Sequence, residues 1–532
     1  MSSDKKQTFM KGALILMIAN IIVKVIGAAF KIPITYLIGE EGMALFSTSY
    51  NVYTWLFIVA TAGIPVAISR MISETRARGN HSEVERIFKV SFSLLSFIGV
   101  AGTLILFFGA DLFSRLMDNP DAKLGIMAIS PAILFVALMS AYRGYFQGHQ
   151  NMLPTAISEV SEALGKLVIG FILAYLLLEK GVIYASSGAV FGVAMGGLLG
   201  FLTLFFAYMV KSRKKSENSI GFVRTRGTIL KELIMIALPI TIGASVFSLT
   251  SLIDVAMIMR NLQNGGFSYS EAKHLYGSYT GYAVPLFNLP PTLISAITIS
   301  LVPTIAKALA EGDKTTAKST TANSIFITLI FALPCSVGMS ILAQPILALV
   351  YNNTNATNTL KVLSLAIVFV SLVMVTNAIL QSAGKERIPV INMLIGGVVK
   401  IFINNYLVKN PDFNILGAPI GTILCYAVIL VLNFICLVRV INIKFSFVQY
   451  IVKPLVAVAL MGFGTLFAYN SMVGILGAKL SLIAAIGVAV VIYLAALLVM
   501  RTLDARLICA VPGLSKFAPI LIKLKLIKAE EE

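Results

Sequence analysis

A chain of 532 residues that is 58% hydrophobic and 12% charged, with a mean hydropathy of +0.90, carries about half the charge density of a soluble domain. No stretch is long and polar enough to form a separate soluble domain, and the excess of 18 positive charges needs no nucleic acid once its distribution along the chain is followed. The four cysteines, Cys335, Cys425, Cys436 and Cys509, lie in or beside apolar runs without CxxC spacing, so neither a metal site nor a disulfide framework is indicated.

The N-terminal MSSDKKQTFMKG enters an apolar run with no small-residue cleavage site, the pattern of a retained first span. Runs of spanning length follow at 12–38, 43–69, 87–110, 124–147, 154–178 and 183–210. After a basic linker at 211–228 they resume at 229–259, 276–306, 321–350, 358–383, 388–408 and 415–438, and then at 448–470 and 474–500. The expected fold is therefore an all-α polytopic membrane protein with 14 transmembrane helices. Prolines within the runs predict bends, and Asn288-Leu-Pro-Pro predicts a broken helix, which a membrane tolerates only where protein or a cavity surrounds it. The basic, partly apolar stretch 501–532 predicts a helix lying on the inner membrane surface.

Charge sets the expected orientation. With the N-terminus inside, about 30 of the 42 Lys and Arg fall in inner loops and about eight in outer ones, which favours cytoplasmic termini and an even number of spans. Lys24, Lys31, Lys166 and Lys400 remain within spans.

A stretch also occurs twice. Tyr142 to Ile169 and Thr376 to Ile403 each run from an apolar helix through a short polar turn and a proline (Pro154, Pro389) into a second apolar helix holding one lysine, Lys166 or Lys400. GAVFG at Gly188 and GAPIG at Gly417 extend the repeat. Residues 1–210 and 229–440 thus form two six-span lobes entering from the same side. Their pseudo-twofold axis lies along the membrane normal, and 441–500 is an appended pair of spans without a counterpart.

Charged residues within spans face protein or water. Asn20, Lys24, Gly27, Lys31 and Thr35 are spaced by helical turns and form one polar stripe, either lining a cavity or pairing with a neighbouring helix. Lys31 lies near the outer end, where it could also snorkel. Lys166 follows Glu159 and Glu162, and Glu162 stands at the i,i+4 position to neutralise it, whereas Lys400 has no local acid and is followed by Asn404. Asp254 ends a polar stripe in the seventh span with Thr241, Ser245, Ser248 and Ser251. It could bind a proton or Na⁺, or pair with a lysine. Arg143 and His149 sit at the inner turn between spans 4 and 5, where a lipid headgroup could meet them or where Arg143 is simply an inside-positive charge. There is no GxxxxGK[ST], HExxH or GxSxG, and the three histidines lack metal spacing, so neither an ATP-driven pump nor a familiar hydrolase is indicated.

KGALILMIANIIVKVIG, YLIGEEG, GIPVAISRMISETRARGN and RGYFQGHQNMLPTAISEVSE together resemble the polysaccharide-export branch of the MOP exporter superfamily, in particular Gram-positive MurJ-type flippases and stage V sporulation protein B. The resemblance covers nearly the whole chain. It implies two six-helix lobes with spans 13 and 14, a cationic cavity, alternating access, and a groove at the extra pair for an isoprenoid tail. Against the Gram-negative pattern SRxLGxxRD the text here is VKVIGAAFK: Lys24 matches the first arginine, Phe30 replaces the second, and Lys31 stands where an acid would be. The expected function is flipping of lipid II or a related undecaprenyl-pyrophosphate oligosaccharide, without an organic cofactor and with Na⁺ or H⁺ as candidate coupling ions. Membrane lipids and wall-synthesis proteins are candidate partners. An ion-coupled drug exporter of the MATE type and a non-transporting scaffold of a wall-synthesis complex are the alternatives.

Overall fold

The computed structural model describes residues 3–212, 224–294, 305, 308–309, 311–441, 448–500 and 502. The expected inner-surface helix at 501–532, most of the basic linker and the end of the eighth span lie outside those residues. The described chain is helical, with no strand among the described residues. In hydrocarbon, a backbone without water must satisfy its own hydrogen bonds, and helices do so locally.

Ten helical stretches among the described residues are long and apolar enough to cross a membrane. Two of them hold a pair of expected spans each. Helix α1, Ser3–Thr61, has 59 residues, about 90 Å if straight, and folds back at Gly39 (φ 64°). The other doubled helix, Lys453–Val499, carries the appended pair and turns at Gly477 (φ 73°). Span 2 is itself interrupted at Ala62–Gly63, where Pro65 opens α2 (Ile64–Ala77). Large apolar side chains such as Phe108, Phe402, Phe463 and Phe467 are exposed, as suits a surface facing lipid rather than water.

The chain forms two compact units, Met1–Gly281 and Tyr282–Glu532. The first continues with α3 (His81–Phe108), α4 (Ala110–Leu116), α5 (Lys123–Ile129), α6 (Pro131–Gly148), α7 (Leu153–Leu177), α8 (Val182–Ser212), α9 (Arg226–Asn264) and α10 (Tyr269–Ser278). Thus α9 and α10, which open the second repeat in sequence, pack with the first unit. Two apolar cores hold that unit, one around Ile34, Met43, Phe46 and Ile126, the other around Ile68, Met71, Phe88 and Phe146.

The α7–α8 seam sets the position of the charged face of α7. Gly188, Gly192, Gly196 and Gly200 recur every fourth residue on α8. A Cβ at Gly192 would come within 2.3 Å of Gly170 Cα, and one at Gly196 within 2.5 Å of the Glu162 carbonyl oxygen. Small residues at this spacing let two membrane helices touch backbone to backbone.

In the second unit, Tyr282–Ala283 close a π-helical turn begun at Tyr279, followed by a four-residue helix, Val284–Phe287, and a turn at Asn288. The expected break in span 8 is therefore present. The helix Lys314–Ile341 packs against the appended pair, where the Tyr493 hydroxyl donates to the Ile330 carbonyl at 3.0 Å. Lys453 Nζ donates to the Met500 carbonyl at 2.8 Å and ties the two ends of that pair together.

Candidate functional site: cationic, aromatic and polar clusters

The span 1 stripe grades from open to buried. Asn20, Lys24 and Gly27 are exposed, Lys31 is half-buried, and Thr35 is buried with its hydroxyl donating to the Lys31 carbonyl at 2.7 Å. The exposure around Lys24 includes Ile21, Ile22 and Val25, so this half of the helix is open on its apolar as well as its polar side.

Lys166 comes over the ring of Phe30, the residue before Lys31, so the two lysines meet on one stretch of span 1. Lys166 does not pair with Glu162 as the i,i+4 spacing allows. Its ammonium sits 4.6 Å from the Tyr50 ring centroid and 5.2 Å from that of Phe30. Ring faces attract a cation without neutralising its formal charge. Phe30, the residue that replaces an arginine in the resembling pattern, is thus one of the two rings that carry Lys166.

Glu162 turns instead to α6, where Arg143 Nη2 donates to its Oε2 at 2.9 Å and Arg143 Nε donates to Ser158 Oγ at 3.3 Å. Arg143 therefore cross-links α6 and α7. The second candidate at that turn, His149, is half-buried with Nδ1 2.9 Å from the Tyr145 carbonyl and its ring against Tyr145. Glu159, one turn before Glu162, has a buried Oε2 without a hydrogen-bond partner.

The second repeat answers with neutral groups. Lys400 and Asn404 are buried, 3% and 0% exposed. Asn377 stands in the repeat where Arg143 does, and Asn392 where Ser158 does. Asn433 Nδ2 donates to Asn377 Oδ1 at 2.7 Å and to Thr376 Oγ1 at 3.0 Å, while Asn392 Nδ2 donates to Asn433 Oδ1 at 2.8 Å. The first repeat thus clamps its two helices to each other with charge, whereas the second ties each of its matching helices, through amides, to Asn433 of the helix Gly417–Ile441.

Of the span 7 stripe, Thr241 accepts a hydrogen bond from the Gly63 backbone N–H at 3.1 Å, at the break in span 2. Asp254 is half-buried and within electrostatic reach of Tyr276.

One cluster was hidden in loops that the charge count treats as surface. Lys273 of α10 is 5% exposed; its Nζ donates to Glu41 Oε1 at 2.6 Å and to Asp121 Oδ2 at 2.8 Å. Beside it, the Tyr269 hydroxyl donates to Asn119 Oδ1 at 2.8 Å, and Arg260 Nε donates to Asp118 Oδ2 at 2.8 Å. Burial opposes the Lys273 charge, but the two carboxylates outweigh it and hold its pKa above the ordinary lysine value. The backbones meet here too: a Cβ on Gly277 would lie 1.8 Å from the Glu40 carbonyl oxygen. All of these residues belong to the first compact unit. The cluster joins the start of the second repeat to loops of the first. Its one legible trace in the sequence is the acid pair Glu40-Glu41 beside the Gly39 turn.

A family model described as Polysaccharide biosynthesis protein matches residues 9–309, more than half of the chain. The chain belongs to this family. A second model, MatE, matches residues 278–406 of this polysaccharide biosynthesis family protein. The protein is 25% identical to stage V sporulation protein B of Bacillus subtilis strain 168 over 84% of its own length and 86% of that relative. It is 26% identical to the lipid II flippase MurJ of the same organism over 85% and 87% of the two chains. Among solved structures it superposes on the inward closed conformation of lipid II flippase MurJ with a TM-score of 0.66 at 15% identity, covering 91% of this chain and 98% of that one. An inward-facing MATE transporter of the MOP superfamily gives 0.67 at 16% identity, covering 81% and 98%. The family protein is thus a multi-pass membrane protein of the MOP superfamily, of the MurJ and stage V sporulation protein B type, and its fold is the one that MurJ and MATE transporters share.

Proposed function

We propose that this protein is a transporter rather than an enzyme, and that it moves a lipid-linked wall precursor from the inner to the outer leaflet of the cytoplasmic membrane. The substrate class is an undecaprenyl-pyrophosphate glycan, with lipid II its first candidate. The observation that carries the reading is the convergence of Lys166 on the Phe30 ring beside Lys31, with Lys166 held on aromatic rings instead of on an acid. A cation kept un-neutralised within a span is costly, and a transient anion such as pyrophosphate offsets that cost. Lys24 extends the same positive character along span 1, with the neutral amide of Asn20 on the same stripe, and Lys400 is the matching cation proposed for the second lobe. An inside-negative potential favours outward movement of the anion by about 2.3 kcal/mol per charge per 100 mV.

Both termini lie in the cytoplasm in this reading, with lobes 1–210 and 229–440 and the appended pair 441–500. The Lys273 cluster then lies on the outer side and acts as a latch that keeps the path closed outward until substrate has loaded. Proton coupling would use Glu159, whose buried unpartnered oxygen is a place for a proton, and Asp254 is the candidate for Na⁺.

The test is rescue of a bacterium depleted of its own lipid II flippase, scored by lipid II exposed on the outer surface. Rescue by the wild-type chain and its loss in Lys166→Ala and Lys31→Ala, with comparable membrane levels, is the expected result. Full exposure of lipid II in both variants would remove the lysine pair from the mechanism. Failure of the wild-type chain, well expressed, would exclude lipid II as substrate. The MatE match over 278–406 supports a second reading, export of small cationic drugs, which drug-resistance and efflux measurements in the same strain would detect.

A further inference from the structure

A groove of about 740 Å³ opens between α3 and the first turns of α9, lined by none of the candidate-site residues described above. Its two walls carry the same gradient. On α3, Arg86 and Lys89 stand at one end, Ser93 follows, and Val90, Leu94 and Phe97 continue the face at helical spacing. On α9, Arg226 stands at the same end and Leu230 one turn further on. Arg86 to Phe97 spans about 16 Å at 1.5 Å per residue, close to the depth of one leaflet's hydrocarbon. Phe97 is 72% exposed, so the apolar end is uncovered among the described residues.

The groove is braced rather than incidental. Arg224 joins the two walls by ion pairs to Glu83 of α3 and Glu232 of α9, and its carbonyl accepts from Arg86 Nη1 at 3.1 Å. Lys89 pairs with Glu85 at 2.8 Å, but the two side chains are 70% and 59% exposed. Such a pair is weak and exchanges readily for a stronger anion. Among the described residues that line the groove, Arg86, Lys89 and Arg226 stand against the one carboxylate of Glu85 and leave the polar end positive.

We propose that this groove binds an anionic glycerophospholipid, its headgroup phosphate at Arg86, Lys89 and Arg226 and an acyl chain along Val90, Leu94 and Phe97. A soluble phosphate would not use the apolar wall, and a neutral lipid would not use the surplus of charge. Only the leaflet, the inner one, rests on the orientation proposed above; the site itself does not depend on the transported substrate.

The test is native mass spectrometry of the purified full-length protein in detergent with added phosphatidylglycerol or phosphatidylcholine of identical chains. Wild type should retain phosphatidylglycerol over phosphatidylcholine by on the order of tenfold, and each cation removed should cost about fivefold. Arg226→Gln and Lys89→Gln, both exposed and outside the Arg224 brace, should each lower the preference without changing the melting temperature. Phe97→Ser should weaken both lipids equally. Equal retention of the two lipids by wild type, or an unchanged preference in both Gln variants, would overturn the proposal. Displacement by free glycerol phosphate would show a soluble-anion site instead. Displacement by undecaprenyl pyrophosphate at the same concentration would make the groove part of the transport path. Binding is read without transport, so a failed rescue in the flippase assay leaves this result standing.

Discussion

Replacing Lys273 by Ala removes the cation from a pair of carboxylates that it holds at 2.6 and 2.8 Å. Charge-assisted hydrogen bonds to a buried group contribute about 1.5–3 kcal/mol each. Glu41 and Asp121 are 38% and 33% exposed, so water recovers part of that when the lysine leaves. A net loss of about 2 kcal/mol for the closed arrangement is a factor of about 30 in its population. Thr35 offers the readout. It is 1% exposed, and Gly281 after α10 lies over it, a Cβ there falling 3.5 Å from Thr35 Cγ2. In a background with the native cysteines replaced by serine, Thr35→Cys should react slowly with a membrane-impermeant maleimide added from outside, and Lys273→Ala should raise that rate by up to about 30-fold. Lys273→Arg, which keeps a cation between Glu41 and Asp121, should leave it low. An unchanged labelling rate in Lys273→Ala, with the variant folded and at normal levels, would refute the latch.

Three further outcomes follow from packing and capping. Gly196→Leu drives a side chain into the Glu162 carbonyl and should lower the melting temperature in detergent sharply, since overpacking costs about 1–3 kcal/mol even where backbone can yield; a near-wild-type melting curve would count against the seam. Asn433→Leu strands the amides of Asn377 and Asn392 and should destabilise the protein by about 1–3 kcal/mol, and the nearly isosteric Asn433→Asp, which loses the donated bonds and buries a carboxyl, should be at least as harmful; a near-wild-type melting temperature in Asn433→Asp would show that the network contributes only volume. Asp313 caps the helix Lys314–Ile341 by accepting from the Thr316 N–H at 3.0 Å, and the hydroxyls and amide it accepts from lower its pKa to about 2. A depressed carboxylate stabilises fully above its unfolded value of 3.8 and loses that contribution as pH falls through about 2, so wild type and Asp313→Ala should differ in melting temperature at pH 6 and converge near pH 2; a constant gap would contradict the cap.

The membrane class, the helical spans and the repeated pair of helices were legible because hydropathy and period are local properties of the chain. Partners were not. The i,i+4 spacing of Glu162 and Lys166 pointed to a local pair, yet Glu162 reaches Arg143 on another helix, and Lys166 reaches rings on α1. The reason lies in α8, whose glycines draw it onto one side of α7 and leave the other to α1 and α6. Phe30 read as a lost arginine, and only the packing shows that it supports a lysine contributed from elsewhere. Lys273 counted as one more outer-loop charge, because nothing in its neighbours reports that Glu41 and Asp121 converge on it. Arg143 was singled out for its position at a turn, and its use as a cross-link became visible through Ser158 and through the matching amides of the second repeat.

The glycine seam also constrains movement. Where two backbones touch with no side chain between them, the helices have no slack to separate or rotate without losing that contact. Helices α7 and α8 must therefore travel as one rod, taking Glu159, Glu162 and Lys166 with them at fixed spacing. In the transport cycle proposed above, a change in access would have to come from segments outside this seam, such as the turn at Asn288. The charged face of α7 would then ride on the stiff part of the machine.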